Sequence, residues 1–323
     1  MLAWLDDRLA AAGIERTGEM PAPRTRPWGT VWSAPTTRGT VWMKAPGPTT
    51  AFEVPLYEIL ARVAPEHVLK PIAVDTDRAW VLLPDGGPAI ADRLTGATLA
   101  AEMAAILPQY GRMQRALAPH ADELVAAGVA DMRPAAMPQR FAEAIDAVGA
   151  YVERAGSAAE RELLGRVADH EHVFVGWCER LAGLPGAPSL DHNDLHPWNI
   201  LVDEPGTGGH ARFYDWGDSV LAHPFACMLV PLAYVQGQLG SGLGDPDLLA
   251  VRDAYLDVFA DLGPHEDLVE SLELACRVGK VARALVWHRA LTANGSQDDE
   301  GRFAGAPLET MAALLDDSHV GGA

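Results

Sequence analysis

The sequence predicts an α+β fold in which a strand-rich first part is followed by a larger, mainly helical part. Two short runs rich in β-branched and aromatic residues, Thr30–Ala34 and Thr40–Ala45, come early in the chain. After residue 95 this pattern gives way to long Ala-, Leu- and Glu-rich stretches with helical spacing, at 97–119, 138–154 and 158–183. At 323 residues, the chain is long enough for two lobes or domains with a substantial core.

Composition excludes several classes of protein. Hydrophobic residues make up 49% of the chain, which is typical of a globular protein. No apolar run reaches the ~20 residues that a membrane-crossing helix needs, and a formal net charge of −19 argues against a nucleic-acid partner. The N-terminus carries acidic residues where a secretory signal has basic ones. Three widely spaced cysteines fit free thiols in a reducing compartment, so we expect a cytoplasmic protein without a membrane partner.

The N-terminal part is predicted to form a small sheet. A short amphipathic helix over 1–13 and an irregular stretch over 14–26 come first. The two strand runs then flank Pro35-Thr36-Thr37-Arg38-Gly39, a sequence typical of a hairpin turn. Two further runs, Leu69–Val74 and Ala79–Leu83, predict strands on either side of another turn.

Lysine is rare in this chain, and Lys44 stands at the end of a predicted strand. The sequence has 22 arginines and only three lysines. A flexible ammonium on a strand can reach the α- and β-phosphates of a nucleotide as a point charge. A helix is predicted over 50–63, with Pro55 in its first turn, and it carries two glutamates that are candidates to pair with this lysine, Glu53 and Glu58.

The segment Pro84–Pro88 is the strongest candidate for a domain boundary, since it combines two prolines with two glycines. We therefore predict an N-terminal lobe over 1–84 and a C-terminal lobe over 85–323. Near the other end of the chain, the polar, Gly-containing segment Gly295–Gly305 predicts a loop before a short last helix at 307–316.

The stretch Ser189–Ser219 carries the chemistry. It holds His192, Asp194 and Asn199, then a predicted strand, a Gly-rich turn, a second strand and Asp215, in the order H-x-D-x-x-x-x-N and D-x-G. Phosphoryl transfer needs an aspartate to orient an attacking hydroxyl, and an amide oxygen with a second carboxylate to hold magnesium. The chain contains only three asparagines, and two of them lie in this stretch.

In detail, the catalytic-loop sequence is H-N-D-L-H-P-W-N, with His196 where protein kinases usually carry a lysine. This H-x-D-x-H-P-x-N form resembles the aminoglycoside phosphotransferase family, whose members phosphorylate small molecules. The resemblance implies a two-lobed protein-kinase-like fold, with a small β-rich N-lobe and a large, mainly helical C-lobe. It also implies Asp194 as the catalytic base, with Asn199 and Asp215 as metal ligands.

The resemblance suggests roles for the remaining polar residues of the site. His192 is expected to orient the catalytic loop, and His196 either lies near the transferred phosphate or makes a structural hydrogen bond. Lys44 is expected to hold the nucleotide phosphates. The resemblance favours Glu53 over Glu58 as its partner.

Two further segments are expected to bind the nucleotide. In a kinase-like fold, the hairpin would cover the phosphates, and Thr36 and Thr37 would donate to them from hydroxyl or backbone groups. The segment around Leu82, Leu83 and Pro84 would be the hinge whose backbone hydrogen-bonds the purine.

The sequence thus predicts an enzyme that uses ATP or GTP with Mg²⁺ to phosphorylate a hydroxyl of a small molecule. The expected acceptor is an antibiotic of aminoglycoside, peptide or sugar-nucleoside type, with Trp198 or Trp287 stacking on its rings, and the expected result is resistance. A metabolic sugar or amino-alcohol kinase is the alternative. A pseudokinase that acts by interaction is a third possibility, which the complete set of catalytic residues argues against. The oligomeric state and the preference between ATP and GTP stay open.

Overall fold

The structure is a computed structural model, and it describes residues 1–293 and 303–321. The loop predicted over Gly295–Gly305 therefore lies mostly outside the described residues. The helices are α1 Leu2–Ala11, α2 Glu53–Val63, α3 Gly96–Leu117, α4 Ala121–Ala126, α5 Met137–Ala155, α6 Ala158–Asp169, α7 Glu171–Ala182, α8 Leu229–Leu239, α9 Pro246–Leu256, α10 His265–Thr292 and α11 Ala306–Ala312. The strands are β1 Arg24–Arg26, β2 Gly29–Thr36, β3 Gly39–Pro46, β4 Ala73–Asp75, β5 Trp80–Pro84, β6 Ala130–Asp131, β7 Ser189–Asp191, β8 Ile200–Val202, β9 Ala211–Phe213 and β10 Val220–Ala222.

The N-terminal sheet is antiparallel, with strand order β1-β2-β3-β5-β4. Side chains alternate between its faces, and residues opposite each other in the ladder share a face. Met43 lies opposite Leu82, and both pack with Leu5 and Leu9 of α1 in one buried cluster. Lys44, the next residue along β3, therefore points to the other face.

Strand β1 lies within the stretch 14–26, for which the sequence predicts an irregular conformation. Arg24–Arg26 consists of two arginines and a threonine, all three of them exposed, so it lacks the apolar alternation that indicates a strand. Its pairing with β2, Thr25 opposite Thr30, places it at the edge of the sheet. The turn between these two strands is Pro27-Trp28.

The C-terminal part is built around the 28-residue helix α10, which packs against α5, α7 and α11. The helix predicted over 158–183 is two helices, α6 and α7, which meet at His170. A capping box explains the start of α6, because the Ser157 hydroxyl accepts from the Glu160 amide and the Glu160 carboxylate accepts from the Ser157 amide.

Short strands in the C-terminal part hold the loop that carries Asp194 and the turn that carries Asp215. Strand β7, before the catalytic loop, pairs with β10, and β8 pairs with β9 as a two-stranded ribbon. The Gly-rich turn of this ribbon is tied to α3, where Gln109 donates to Gly209 O at 2.8 Å and accepts from Ala211 N at 3.0 Å.

The chain thus has the two-lobed α+β fold predicted from the sequence, with a small β-rich N-lobe and a large, mainly helical C-lobe. In the ranges 1–293 and 303–321, no helix combines the length and apolar character needed to cross a bilayer.

Candidate active site

The lysine of β3 lies at the centre of the site. Lys44 Nζ is 2.7 Å from Glu53 Oε1 and 2.5 Å from Asp215 Oδ1, so residues far apart in sequence meet at one ammonium. Burial alone would lower the pKa of Lys44, but the carboxylates of Asp215 and Glu53 raise it overall. The lysine therefore stays charged.

Glu53 is the partner of Lys44, and the other candidate is not. Glu53 begins α2, is fully buried, and its Oε1 also accepts from the backbone amide of Trp216 at 3.1 Å. Glu58 is exposed. Because Trp216 follows Asp215, this glutamate links the lysine to the turn that carries the second carboxylate.

The catalytic loop begins with a backbone conformation that few residues adopt. Asn193 has φ of 60°, in the left-handed region, and its amide donates to the buried carboxylate of Asp191 at 2.7 Å. This turn presents the side chain of Asp194, the next residue, to a cavity.

Both oxygens of the Asp194 carboxylate have partners. Oδ1 accepts from Arg283 Nη2 at 2.8 Å. Oδ2 lies 3.3 Å from His196 Nε2 and 3.3 Å from Asn199 Nδ2. Burial opposes ionisation, but Arg283 and His196 outweigh it and hold the pKa of Asp194 below its usual range. Burial likewise works against a charged His196, and the pairing with Asp194 still raises the pKa of that imidazole.

His192 serves the loop in a different way. Its Nε2 lies 2.9 Å from Tyr214 O, and its ring packs on Trp216 with centroids 4.7 Å apart. Burial lowers the pKa of this histidine, and its Nε2–H donates to the carbonyl oxygen, which can only accept. The contact ties the loop that carries Asp194 to the segment that carries Asp215.

The residues present fit a magnesium ion. Asp215 supplies a half-exposed carboxylate, and Asn199 supplies an amide whose nitrogen is held by Asp194 O at 2.9 Å. Both offer hard oxygen ligands. Mg²⁺ typically takes one or two protein ligands and completes its shell with water and substrate phosphate. Among the described residues, no group of three or more His, Cys, Asp or Glu side chains forms an all-protein metal cage.

A first cavity, of about 500 Å³, lies between the sheet and the C-terminal part. Leu83 and Pro84 line it, together with Lys44, Asp215 and Leu201. Leu82 contributes less than predicted, since its side chain lies on the opposite face of the sheet and its carbonyl oxygen accepts from Ile72 N at 2.7 Å.

Thr36 and Thr37 do not reach this cavity. They lie at the turn joining β2 to β3, whereas Lys44 pairs with Val31 five residues away along β2, about 17 Å at the rise of a strand. Thr36 Oγ1 donates to the carbonyl oxygen of Gly39, and Thr37 N donates to Glu15 O. The hairpin predicted to cover phosphates is thus at the wrong end of the strands, and the turn nearest Lys44 is the one between β1 and β2.

A second cavity, of about 560 Å³, lies on the other side of the lysine. Lys44 and Asp215 line both cavities. The second cavity adds Asp194 and a group of side chains from the turn after β1, from α10 and from beyond it, which are Trp28, Arg283, Val286, Trp287, Ala290 and Phe303.

Aromatic stacking shapes one wall of the second cavity. The guanidinium carbon of Arg283 lies 5.2 Å from the ring centre of Trp287, and that ring stacks on Phe303 with centroids 5.4 Å apart. Among the described residues, Trp198 lies outside the lining of both cavities; it is 48% exposed and packs edge-on against Tyr234.

No sequence pattern points to Arg283 or to the altered pKa of Asp218, whereas Arg289 follows Trp287 in a stretch whose aromatic and basic residues are candidates for a substrate cleft. Arg289 donates to Gly217 O at 2.8 Å and lies 3.9 Å from Asp218. Burial, with the nearby charge of Asp194, raises the pKa of Asp218 to about 7. Because nothing in the periodicity of α10 distinguishes a buried arginine, only a three-dimensional structure brings Arg283 and Arg289 to the site.

The fold is that of protein kinases, and a lysine–glutamate pair, a loop aspartate, an asparagine and a second aspartate meet between its two lobes. The model of the APH phosphotransferase enzyme family matches residues 35–226, more than half of the chain. The chain belongs to this family. No curated protein sequence matches it.

Solved structures with the same fold come from several small-molecule kinases. Macrolide 2′-phosphotransferase MphH from Brachybacterium faecium is 18% identical, with a TM-score of 0.56 and 98% of each chain covered. A putative aminoglycoside phosphotransferase from Ralstonia eutropha is 16% identical, with a TM-score of 0.59 and coverage of 98% of this chain and 99% of that one. Choline kinase LicA from Streptococcus pneumoniae is 15% identical, with a TM-score of 0.56 and coverage of 97% and 99%.

Proposed function

We propose that this protein transfers the γ-phosphate of ATP or GTP to a hydroxyl group of a bulky antibiotic. The single observation that carries the proposal is that Lys44 and Asp215 line both cavities. A phosphoryl group held at this boundary faces a donor on one side and an acceptor on the other.

The first cavity is the proposed nucleotide site. Leu83 and Leu201 supply apolar walls, and the extended backbone at Pro84 supplies the hinge. Residues 1–84 would then form the nucleotide-binding lobe, and 85–323 would carry the catalytic loop and the acceptor site. LicA, which shares the fold with a TM-score of 0.53, is known in complex with AMP.

The proposed mechanism relies on positioning and charge neutralisation. Lys44, kept charged by its carboxylate partners, binds the phosphates. Asn199 and Asp215 would hold Mg²⁺, which neutralises the developing charge on the phosphates when bound. Asp194, held ionised by Arg283 and His196, accepts a hydrogen bond from the acceptor hydroxyl and orients its oxygen in line with the γ-phosphorus.

The second cavity favours a bulky acceptor. Its volume of about 560 Å³ falls within the ~300–1,000 Å³ typical of sites for drug-sized ligands. Trp28, Trp287 and Phe303 give it aromatic surface, and Val286 with Ala290 adds aliphatic surface. These walls suit the apolar face of a glycosylated antibiotic.

The charges of the second cavity argue against a polycationic acceptor. Each carboxylate in its described lining already faces a protein cation: Lys44 pairs with Glu53 and Asp215, Arg283 with Asp194, and Arg289 lies near Asp218. Little unpaired acidity is left to bind several ammonium groups. We therefore favour a macrolide-like acceptor over an aminoglycoside within the antibiotic class.

A small amino alcohol is the second candidate. Aromatic rings bind organic cations through cation–π attraction, and Trp28 adds an aromatic ring to the lining of the second cavity. We rank it lower because the cavity is larger than such a substrate needs.

The test is a phosphorylation assay with MgATP and MgGTP across four acceptors: a macrolide, spectinomycin, streptomycin and choline. We expect the macrolide to gain the mass of one phosphoryl group. The same gene in a susceptible bacterium should raise the inhibitory concentration of that antibiotic, and Asp194→Asn should abolish the effect. Efficient phosphorylation of choline alone would favour the amino-alcohol kinase. Failure to phosphorylate any of the four, with no nucleotide hydrolysis, would contradict the proposal.

A further inference from the structure

We propose that Arg283 is the positioning residue that fixes the carboxylate of Asp194 for catalysis. The inference rests on the proposed function, because it assigns a role within the same site. Arg283 is 89 positions away from Asp194 in sequence, on the long helix α10.

One guanidinium group contacts two consecutive residues of the catalytic loop. Nη1 of Arg283 donates to the carbonyl oxygen of Asn193, and Nη2 donates to Asp194 Oδ1 at 2.8 Å. The arginine side chain is only 8% exposed. Hydrogen bonds that involve ionised groups are roughly twice as strong as neutral ones, so these contacts constrain the loop.

The contacts of Arg283 lie next to the residue of the loop whose backbone conformation is energetically unfavourable. Asn193 has a left-handed backbone, which persists only when the surroundings hold it. Its amide is bound by Asp191 and its carbonyl by Arg283, so the peptide units on both sides of this residue are fixed. Arg283 thereby supports the turn that aims Asp194 into the second cavity.

The contacts also distinguish the two oxygens of Asp194. Arg283 occupies Oδ1, while Oδ2 faces His196 and Asn199 across longer distances of 3.3 Å. A carboxylate held at one oxygen cannot rotate freely, so the other keeps a fixed direction for the acceptor hydroxyl. A displacement of about 1 Å at a reacting group can cost about 100-fold in rate.

The side-chain nitrogens of Arg283 that make hydrogen bonds make them to the catalytic loop. Its Nε is buried and has no hydrogen-bond partner among the described residues, while both Nη atoms contact the loop. Its planar face packs against Trp287. A lysine cannot reproduce this arrangement, because its ammonium is a point charge without a planar fork.

The matched control is Arg277, on the same helix. Its guanidinium donates to the backbone carbonyls of Asp316, at 3.1 Å, and Asp317, so it makes two hydrogen bonds without contacting the catalytic loop. Arg277→Met removes a comparable pair of contacts and a charge. A general effect of losing an arginine from α10 will therefore appear in this variant too.

The first experiment measures MgATP hydrolysis, which needs no acceptor, and MgADP binding by calorimetry. Arg283→Met should lower kcat by about 100-fold and leave the Kd for MgADP within about twofold, because Arg283 does not line the first cavity. Arg283→Lys should lower kcat by a smaller factor than Arg283→Met does. Free guanidinium ion, added to Arg283→Ala, should raise the kcat of that variant at least about tenfold. An unchanged kcat, no rescue, or an equal loss in Arg277→Met overturns the proposal.

The second experiment does not depend on activity. Hydrogen exchange of the peptide spanning 190–196 should become faster in Arg283→Met and stay at the wild-type rate in Arg277→Met. Unchanged exchange in Arg283→Met overturns the proposal. If the wild-type protein neither hydrolyses MgATP nor phosphorylates an acceptor, the proposed function fails, and this measurement still decides whether Arg283 holds the loop.

Discussion

The two cavities share Lys44 and Asp215 but differ in how their other walls are built. The first cavity takes most of its described lining from the sheet and the segment up to Gly87. The second joins the turn after β1 to the last turns of α10, more than 250 residues later in the chain. The proposed donor cavity thus depends mainly on neighbouring segments of the N-terminal part, and the proposed acceptor cavity depends on the packing of one long helix.

The difference has a functional consequence. In the proposed function, the groups that would bind phosphate are held by contacts around Lys44, whereas the proposed acceptor wall would change with the residues of α10. Substitutions on the two sides should therefore separate nucleotide effects from acceptor effects.

The largest effect is expected at the residue that faces the acceptor from the catalytic loop. Asp194→Asn should lower kcat by about 10²–10⁴-fold, the usual range for a general base, because the amide cannot accept and orient in the same way. The affinity for MgADP, measured by calorimetry, should stay near the wild-type value, since Asp194 lines only the second cavity. Turnover within a few-fold of wild type would remove Asp194 from this role.

The next effect is expected at the boundary between the cavities. Asp215→Ala should weaken MgATP binding by about 10- to 100-fold, or about 1.4–2.8 kcal/mol, because it removes a hard oxygen ligand. Asn199→Ala should act in the same direction with a smaller effect. Asp203, paired with Arg212 at the surface, is the matched control, and Asp203→Ala should bind MgATP normally. Calorimetry with and without Mg²⁺ checks this, and an unchanged metal dependence in Asp215→Ala contradicts the assignment.

A moderate effect is expected from the aromatic wall. Trp287→Ala should raise KM for the acceptor by roughly 3- to 10-fold and leave KM for MgATP unchanged, since an aromatic pair contributes about 0.5–1.5 kcal/mol beyond its buried area. Trp287→Phe should retain most of the affinity. Trp198→Ala should change neither constant, because Trp198 lies outside the lining of both cavities. Equal effects of the two alanine variants would show that the acceptor lies elsewhere.

The smallest effect is expected in stability. Burial raises the pKa of Asp218 from 3.8 to about 7, so the folded state favours its protonated form. Above pH 7 the carboxyl is charged in both the folded and the unfolded protein, and burying this charge lowers the free energy of unfolding by its full amount. This loss of stability disappears as the pH falls towards 3.8. Asp218→Asn should therefore raise the free energy of unfolding by about 1 kcal/mol near pH 8 and by less near pH 5, allowing for partial exposure of the side chain. Thermal unfolding at both pH values measures this, and an equal shift at both would contradict it.

Candidate site residues can be predicted from the sequence where they are closely spaced in one motif. Asp194, Asn199 and Asp215 belong to one motif, and Lys44 stands out because lysine is rare in this chain and this one is at the end of a predicted strand. The structure brings all of them together at one site. The family and the two-lobed fold followed from that motif and from the change from strand to helix patterns.

The position of a residue relative to the site cannot be predicted from the sequence where it depends on tertiary packing. The place of Thr36 and Thr37 in a turn predicts phosphate contacts, but the strand register sets that turn far from Lys44. Strand β1 has no apolar pattern because it is short, exposed and rich in arginine. Arg283 gave no signal either, since a buried cation on a helix is stabilised by partners from a distant loop.

The most direct test of the account is the stereochemistry of transfer. If donor and acceptor lie in the two cavities and the phosphoryl group moves between them once, in line, then a nucleotide with an isotopically chiral γ-phosphoryl group should give a product with inverted configuration at phosphorus. Retention of configuration would mean two displacements through a phosphorylated residue, such as His196, and would contradict direct transfer across the boundary formed by Lys44 and Asp215.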